Sequence, residues 1–366
     1  MRMMKMFLGI MVMCIAVERY AVAADQSADS WTSVVKYEFG SSRTNLYAIE
    51  EDIRSAPAKK YGQYEEKLLA LLNTQGATYE AKDFACRMLR IVGSEKCVPV
   101  LFDLLVDEKM AHMARYAIQG LPFSSVDEAL RNALGKAKGN QKVGIISSIA
   151  ARGDKKSVVL LQPLVTDQDA AIARAAISAL GSIATPDALN VLTEAKVADG
   201  LKTVLMESRL MCADALLAKG KEGKAADIYK EMLSDGNPRG IRAAAITGLA
   251  RADKDNALPK VIEMLKSQDV SSQRAAGKAL MEIKGEKAAK AVPDVMGSLS
   301  VDAQVMLPPY DCIMRFTKAR PIPEPPCDLD WLLNNSNIFG KKSLGIPAAV
   351  SLNTSLLISH QSQVLL

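Results

Sequence analysis

A turn residue that returns at a near-constant interval constrains this chain more than any other feature. Sliding the pattern Leu-x-x-x-turn-x-x-x-x-apolar along the sequence aligns Leu89 to Pro99 (LRIVGSEKCVP), Leu180 to Asn190 (LGSIATPDALN) and Leu249 to Pro259 (LARADKDNALP). The turn falls at Gly93, Leu121, Gly153, Ala184, Gly220, Asp253 and Lys284, separated by 28, 32, 31, 36, 33 and 31 residues. An interval of that size holds two helices and their connections, so seven units follow one another.

Both halves of each unit carry helical period, with apolar residues at i, i+3, i+4 and i+7. Val98, Leu101, Phe102 and Leu105 make one stripe on a second helix; Leu258, Val261, Ile262 and Leu265 make another, and Val292, Val295, Met296 and Leu299 a third. The first helices are lined with alanine instead, as in Ala173, Ala175, Ala176 and Ala179, or Ala243, Ala244 and Ala245. Small side chains let neighbouring helices approach closely, which a stack of hairpins needs. Capping residues agree: Asn237 precedes Pro238 at a helix start, Asp269 precedes the helix carrying Arg274, and Gly93 and Gly153 suit a left-handed residue after a helix end. The pattern predicts an all-α solenoid of helical hairpins, an armadillo-like superhelix, with Leu180 and Leu265 buried between helices.

RAAISALGSIATPDALNVL from Arg174 and RAAAITGLARADKDNALPKVIEML from Arg242 resemble HEAT-like repeats of the kind also found in phycobilin lyases. HMARYAIQGLPFSSVDEALRNAL, from His112 to Leu134, is similar to a segment of secreted bacterial HEAT-repeat proteins. The resemblance runs from about Tyr79 to Leu299 and implies a packing scaffold rather than an active site. Leu201 to Asp235 departs from it, because ADALLAKGKEGKAADIYKEML has the spacing of a tetratricopeptide unit.

Arg2 and Lys5 precede an apolar run of 11 residues, Phe7 to Val17, and Ala21-Val22-Ala23 follows with small residues where a signal peptidase reads. Roughly 20 apolar residues are needed to span a bilayer, so the segment predicts a cleaved secretory signal, an exported periplasmic or extracellular protein beginning at Ala24 or Asp25, and no membrane span thereafter. The expected organisation is a signal at 1–23, an N-terminal helical cap at 24–77, the HEAT-like array at 78–300 and a Pro-rich, poorly structured tail at 301–366. Ser42 to Ile53 and Tyr64 to Leu72 supply the cap's helices, rich in tyrosine and charge. The tail is either a linker with a hydrophobic end or a sequence that left its ancestral reading frame near Leu307.

Composition narrows the chemistry. The chain has two histidines, His112 and His360, so a zinc site or a histidine-dependent triad would have to be built around one of them. Five cysteines remain after the signal, with no CxxC or CxxCH, and Cys86 and Cys212 fall on apolar helix faces as small core residues. Neither a catalytic group nor a cofactor is expected. The paired carboxylates Glu50-Glu51-Asp52 and Glu65-Glu66 read as solvated faces of the cap. Arg152-Gly153-Asp154 spells an adhesion tripeptide but occupies an intra-unit turn. Arg115, Arg174, Arg242 and Arg274 recur near first-helix starts beside Asp107, Asp167, Asp235 and Asp269, as a ladder of caps and inter-unit ion pairs.

Second helices of such stacks line the concave side, and five residues beyond each apolar start come Asp103, Arg131, Pro163, Glu194, Lys230, Glu263 and Gly297. The charges in this column alternate in sign, unlike the repeated Lys and Arg of a nucleic-acid groove. Asp103, Arg131, Glu194, Lys230 and Glu263 are the candidate contacts, with Val100, Leu104, Val159 and Leu160 giving the N-terminal half an apolar character that suits a protein or peptide partner. Two functions follow: an exported non-enzymatic scaffold holding such a partner, or the recruiting half of a secreted carbohydrate-active or haem-bearing enzyme, as the resemblance implies, whose catalytic domain is absent from this chain.

Overall fold

The computed structural model describes residues 30–283 together with Ala288 and Ala291, and every regular element among them is helical. Helices follow in pairs: α1 (Thr44–Ser55) and α2 (Tyr61–Asn73), α3 (Tyr79–Val92) and α4 (Cys97–Leu104), α5 (Ala111–Ile118) and α6 (Ser124–Lys136), α7 (Gly139–Arg152) and α8 (Val158–Leu161). Then come α9 (Ala170–Ile183) and α10 (Pro186–Glu194), α11 (Lys202–Ala218) and α12 (Glu222–Met232), α13 (Arg239–Ala252) and α14 (Lys254–Leu265), and α15 (Val270–Glu282). Odd-numbered helices pack one on the next from α1 to α15, and even-numbered helices lie against them as a second layer. The protein is an all-α solenoid of stacked hairpins.

Side-chain size sets the two layers apart. In the first, Ala173, Ala176 and Ala179 of α9 are buried, and a Cβ added at Gly181 would lie 2.7 Å from Cβ of Ser208 on α11. That contact leaves no room for even a methyl group. In the second layer the filling is leucine, isoleucine and valine: Leu101, Leu105, Val261 and Leu265 are fully buried, as is Leu180 on α9. The third predicted stripe, from Val292 to Leu299, lies outside the described residues, as do the signal, the tail and the turn at Lys284.

Local chemistry explains where elements end. Gly153 and Gly220 take left-handed φ of 64° and 70°, and Asp253 both ends α13 and accepts from the Asn256 amide to start α14. Gly93 corrects the expectation: its φ is −64°, so it is not a left-handed cap. Glycine is required there by crowding, because a Cβ would lie 2.5 Å from the Leu89 carbonyl oxygen and 2.9 Å from Sγ of Cys97. Asn237 is a second correction. Instead of capping α13, its side-chain amide donates to the carbonyls of Glu231 (3.4 Å) and Met232 (3.1 Å), closing the end of α12. Asp269 does cap α15, accepting from the Ser272 amide at 3.2 Å. The half-unit after Gly153 is not one helix but α8 between two 3-10 turns: Lys155–Ser157, capped by Asp154, and Gln162–Thr166, where Pro163 has no amide to donate and its ring excludes the helical carbonyl four residues back.

Two buried clusters meet within α11, the first helix of the tetratricopeptide-like pair. Val204 and Cys212 belong to the cluster that reaches back to Val34, while Leu210, Ala213 and Leu216 belong to the one that continues to Ala288. Consistent with their place in the core, Cys86, Cys97 and Cys212 are buried free thiols.

Replacing Gly181 by alanine is expected to cost about 1–3 kcal/mol by overpacking α9 on α11, measured by urea unfolding; an unchanged midpoint would mean that the two helices are not in backbone contact. Ala184 is the one described non-glycine residue with positive φ, 48°. Relief of the left-handed cost of an alanine exceeds the extra freedom glycine has when unfolded, so Ala184→Gly should raise stability by about 0.5–1 kcal/mol, read as a higher melting temperature.

Candidate partner-binding surface

The second layer carries the predicted column, and the structure sorts its members by what holds them. Asp103, Glu194, Lys230 and Glu263 are exposed. Among the described residues, Asp103 and Glu194 make no ion pair, and Glu263 meets only Lys260 one turn earlier on its own helix, at 2.6 Å. Arg131 is different: it donates to Oδ2 of Asp154 at 2.5 Å, with side chains only 20% and 8% exposed. Lys230 reaches Asp253 in the same manner at 3.4 Å, nearer solvent. Each of these bases comes from the second helix of one unit and meets the aspartate that starts the second helix of the next. The same relation with reversed polarity opens the stack, where Glu65 of α2 accepts from the amide and hydroxyl of Ser94 at 2.7–2.9 Å. Glu65 is therefore buried rather than part of a solvated face, which corrects the reading of the cap.

The tripeptide at 152–154 is consumed in the same structural task. Arg152 pairs with Asp127 and donates to the carbonyls of Gln119 (2.8 Å), Leu121 (2.7 Å) and Phe123 (3.0 Å), binding the preceding turn from end to end. Asp154 meanwhile takes Arg131, the hydroxyl of Ser157 and the amide of Lys156. Neither side chain is offered to a partner.

The arginine ladder is inter-unit, but mostly not ionic. Arg242 pairs with Asp235 at 3.2 Å, whereas Arg174 donates to the Gly200 carbonyl at 3.1 Å and Arg115 lies over Gly144 of α7. Burial lowers the Arg115 pKa from its ordinary value. Asp107 and Asp167 accept backbone amides in their own loops instead of arginines. Arg274 lines a separate depression of about 530 Å³ with Lys278 and Arg251.

Of the four apolar residues expected at the N-terminal half of the column, Val159 is 68% exposed and Leu160 is exposed as well, while Val100 and Leu104 pack against the core. Farther along the layer a depression of about 400 Å³ is lined by Lys230, Leu233, Asn256 and Lys260. His112 is an exposed helix residue 3.4 Å from Arg115. Burial pushes the Cys86 and Cys97 thiols up to about 12 and Cys212 up to about 11, so all three stay protonated near neutrality and unsuited to nucleophilic attack. Burial and the bond to Asp214, at 2.5 Å, push the Tyr229 phenol up as well. No group of three or more potential metal ligands occurs among the described residues, and no described helix is long and apolar enough to cross a membrane.

The sequence placed its candidate contacts on the second layer and assigned no site to a cleft of about 980 Å³ on the first. Its floor is the outer face of α3; one wall is α1 with the loop leading into it, and the other is Tyr116 of α5. The signal for it was the aromatic content of the cap, which brings Tyr37 and Phe39 to the lining, with Phe39 and, across the cleft, Tyr116 left exposed.

Residues 127–205 and 226–302 match the HEAT repeats family. The chain is similar to the X-ray structure of YibA from Escherichia coli, with 21% identity over 71% of this chain and 98% of that one and a TM-score of 0.44. It is also similar to the crystal structure of an engineered protein, with 18% identity over 79% of this chain and 88% of that one and a TM-score of 0.38. No curated protein matches the chain.

The two bridges predict unequal costs. Arg131→Ala removes the counter-charge of a nearly buried carboxylate and should cost about 1.5–3 kcal/mol, whereas Lys230→Ala, at a solvent-screened pair, should cost no more than about 1 kcal/mol. Chemical denaturation of both variants checks the order, and an equal loss would place Asp154 in contact with water.

Proposed function

Starting from a HEAT-like repeat protein, we propose an exported, non-enzymatic scaffold that holds a protein or peptide partner on the exposed face of its second helix layer. The observation that carries this reading is a division of labour within one column. Arg131 and Lys230 are committed to neighbouring turns, while Asp103 and Glu194 make no ion pair among the described residues, and Val159 and Leu160 stand exposed on α8 of the same layer. HEAT repeats commonly present such surfaces to other proteins. The alternation of charge along the column favours a polypeptide over a nucleic acid, whose phosphates reward uninterrupted positive charge. Export rests on the basic start, the short apolar run and the small residues up to Ala23, and it goes with the likeness to secreted and phycobilin-lyase-type repeats.

Asp103→Ala, Val159→Asp, Glu194→Ala and Glu263→Ala combined should leave the melting temperature nearly unchanged, because exposed substitutions usually stay within about 0.5 kcal/mol each. Cross-linking in the exported fraction of the producing cell, followed by pull-down, should recover a polypeptide with the wild type and lose it with the combined variant. Equal recovery by both would refute the surface, and finding the chain with residues 1–20 attached would refute cleavage.

A further inference from the structure

The first-layer cleft has a chemistry that the repeat scaffold does not need. Along α3 its floor presents Phe84 and Met88, buried, and Ile91, half-buried, with Leu46 of α1 beside them. Phe39 stands at one rim with 91% of its surface exposed, a large apolar group left in water with no packing role. At either side sits an arginine on an aromatic ring. The Arg43 guanidinium lies 4.8 Å from the Tyr47 ring centre, and that of Arg90 lies 4.6 Å from Tyr116. Stacking of this kind orients a guanidinium and leaves its N–H edge free for a carboxylate.

Charge in the cleft is unevenly matched. Arg54 pairs with Glu50, and Arg87 with Asp83, both at 2.7 Å. Among the described residues Arg43 and Arg90 have no carboxylate within ion-pair distance, and the Arg90 guanidinium donates to the Tyr116 carbonyl at 3.3 Å. Glu80 is the remaining acid in the lining, and it sits in the first turn of α3, where the helix dipole favours it. The site is thus two unneutralised guanidiniums separated by an apolar floor.

We infer that this cleft binds an extended acidic peptide segment, with carboxylates on Arg43 and Arg90 and apolar side chains between them on Phe39, Ile91 and Tyr116. The alternatives fit less well. A saccharide would set its hydroxyls over Phe84, Met88 and Leu46, which offer no hydrogen bonds, and unpaired buried hydroxyls are costly. A nucleic-acid backbone, with a phosphate at every step, would meet Glu50, Glu80 and Asp83 as well as the arginines, whereas a peptide can place its carboxylates at Arg43 and Arg90 and uncharged residues beside the acids. Because the cleft lies on the first layer, its test is independent of the second-layer surface.

Selection of displayed random dodecapeptides on the full chain, with cellohexaose as a competitor, decides the matter. The enriched sequences are expected to carry at least two Asp or Glu residues around aromatic or aliphatic ones. Their synthetic versions should bind at least tenfold more weakly to an Arg43→Ala/Arg90→Ala variant, weaken with added salt, and be unaffected by the sugar. Both arginines are exposed, so the variant is expected to keep the wild-type circular dichroism, and Arg43→Lys/Arg90→Lys should restore part of the binding. Absence of enrichment, enrichment of non-acidic sequences, equal affinity for the alanine variant, or displacement by cellohexaose would each overturn the inference.

Discussion

Close approach of successive first-layer helices is the constraint on which the rest of the molecule depends. Where Gly181 meets Ser208, the two backbones are separated by less than one methyl group's worth of space. Between the layers, Tyr229 of α12 lies against Gly248 of α13, filling with an aromatic ring the volume that a glycine vacates. Because the spacing is set by what is missing from these side chains, it cannot be relaxed locally. The inward face of the second layer then meets a space of fixed width, in which Leu101, Leu105, Val261 and Leu265 are fully buried.

Packing alone leaves the units free to rotate about the stack, and polar contacts between neighbouring turns remove that freedom. Arg131 with Asp154, Arg152 with Asp127 and three carbonyls, and Glu65 with Ser94 each tie one unit to the next through a group that also ends or starts a helix. A cap lost at such a position therefore loosens an interface as well as a helix end. The ties from α2 to α8 are the more buried; among the described residues beyond α11, Lys230–Asp253, Arg251–Glu282 and Arg239–Asp269 lie nearer solvent. With separate buried clusters on the two sides of α11, stability in this chain is distributed along one dimension, and the two halves need not open together.

The fold was legible in the sequence because it is written in periods. Turn spacing, alanine-lined first helices and leucine-lined second helices each survive averaging over a window, and six of the seven predicted turns fall between described helices. What escaped were properties of single contacts. Gly93 has the composition of a left-handed cap and the geometry of a crowded one; Asn237 sits where a cap should be and serves the helix before it. Glu65 and Glu66 look alike in sequence, yet only the structure shows that the first is turned inward toward Ser94, 29 residues later. The column was legible as a register but not as a surface, since the helical phase that aligns Asp103 with Arg131 says nothing of the aspartate waiting in the next turn.

Arginine marks the difference between the surfaces that hold the stack together and those that remain available. In the contacts that tie unit to unit the guanidinium meets acceptors directly: Arg152 has four and Arg131 has Asp154. Arg43 and Arg90, at the amino-terminal end of the first layer, rest on tyrosine rings instead. A ring gives orientation without neutralising charge, so these two side chains are fixed in place while their strongest interaction is still unmade. Among the described residues the large exposed aromatic side chains, Phe39, Tyr47, Tyr79 and Tyr116, gather at this same end of the stack, so that ring-held cations and uncovered rings lie together on a surface addressed outward.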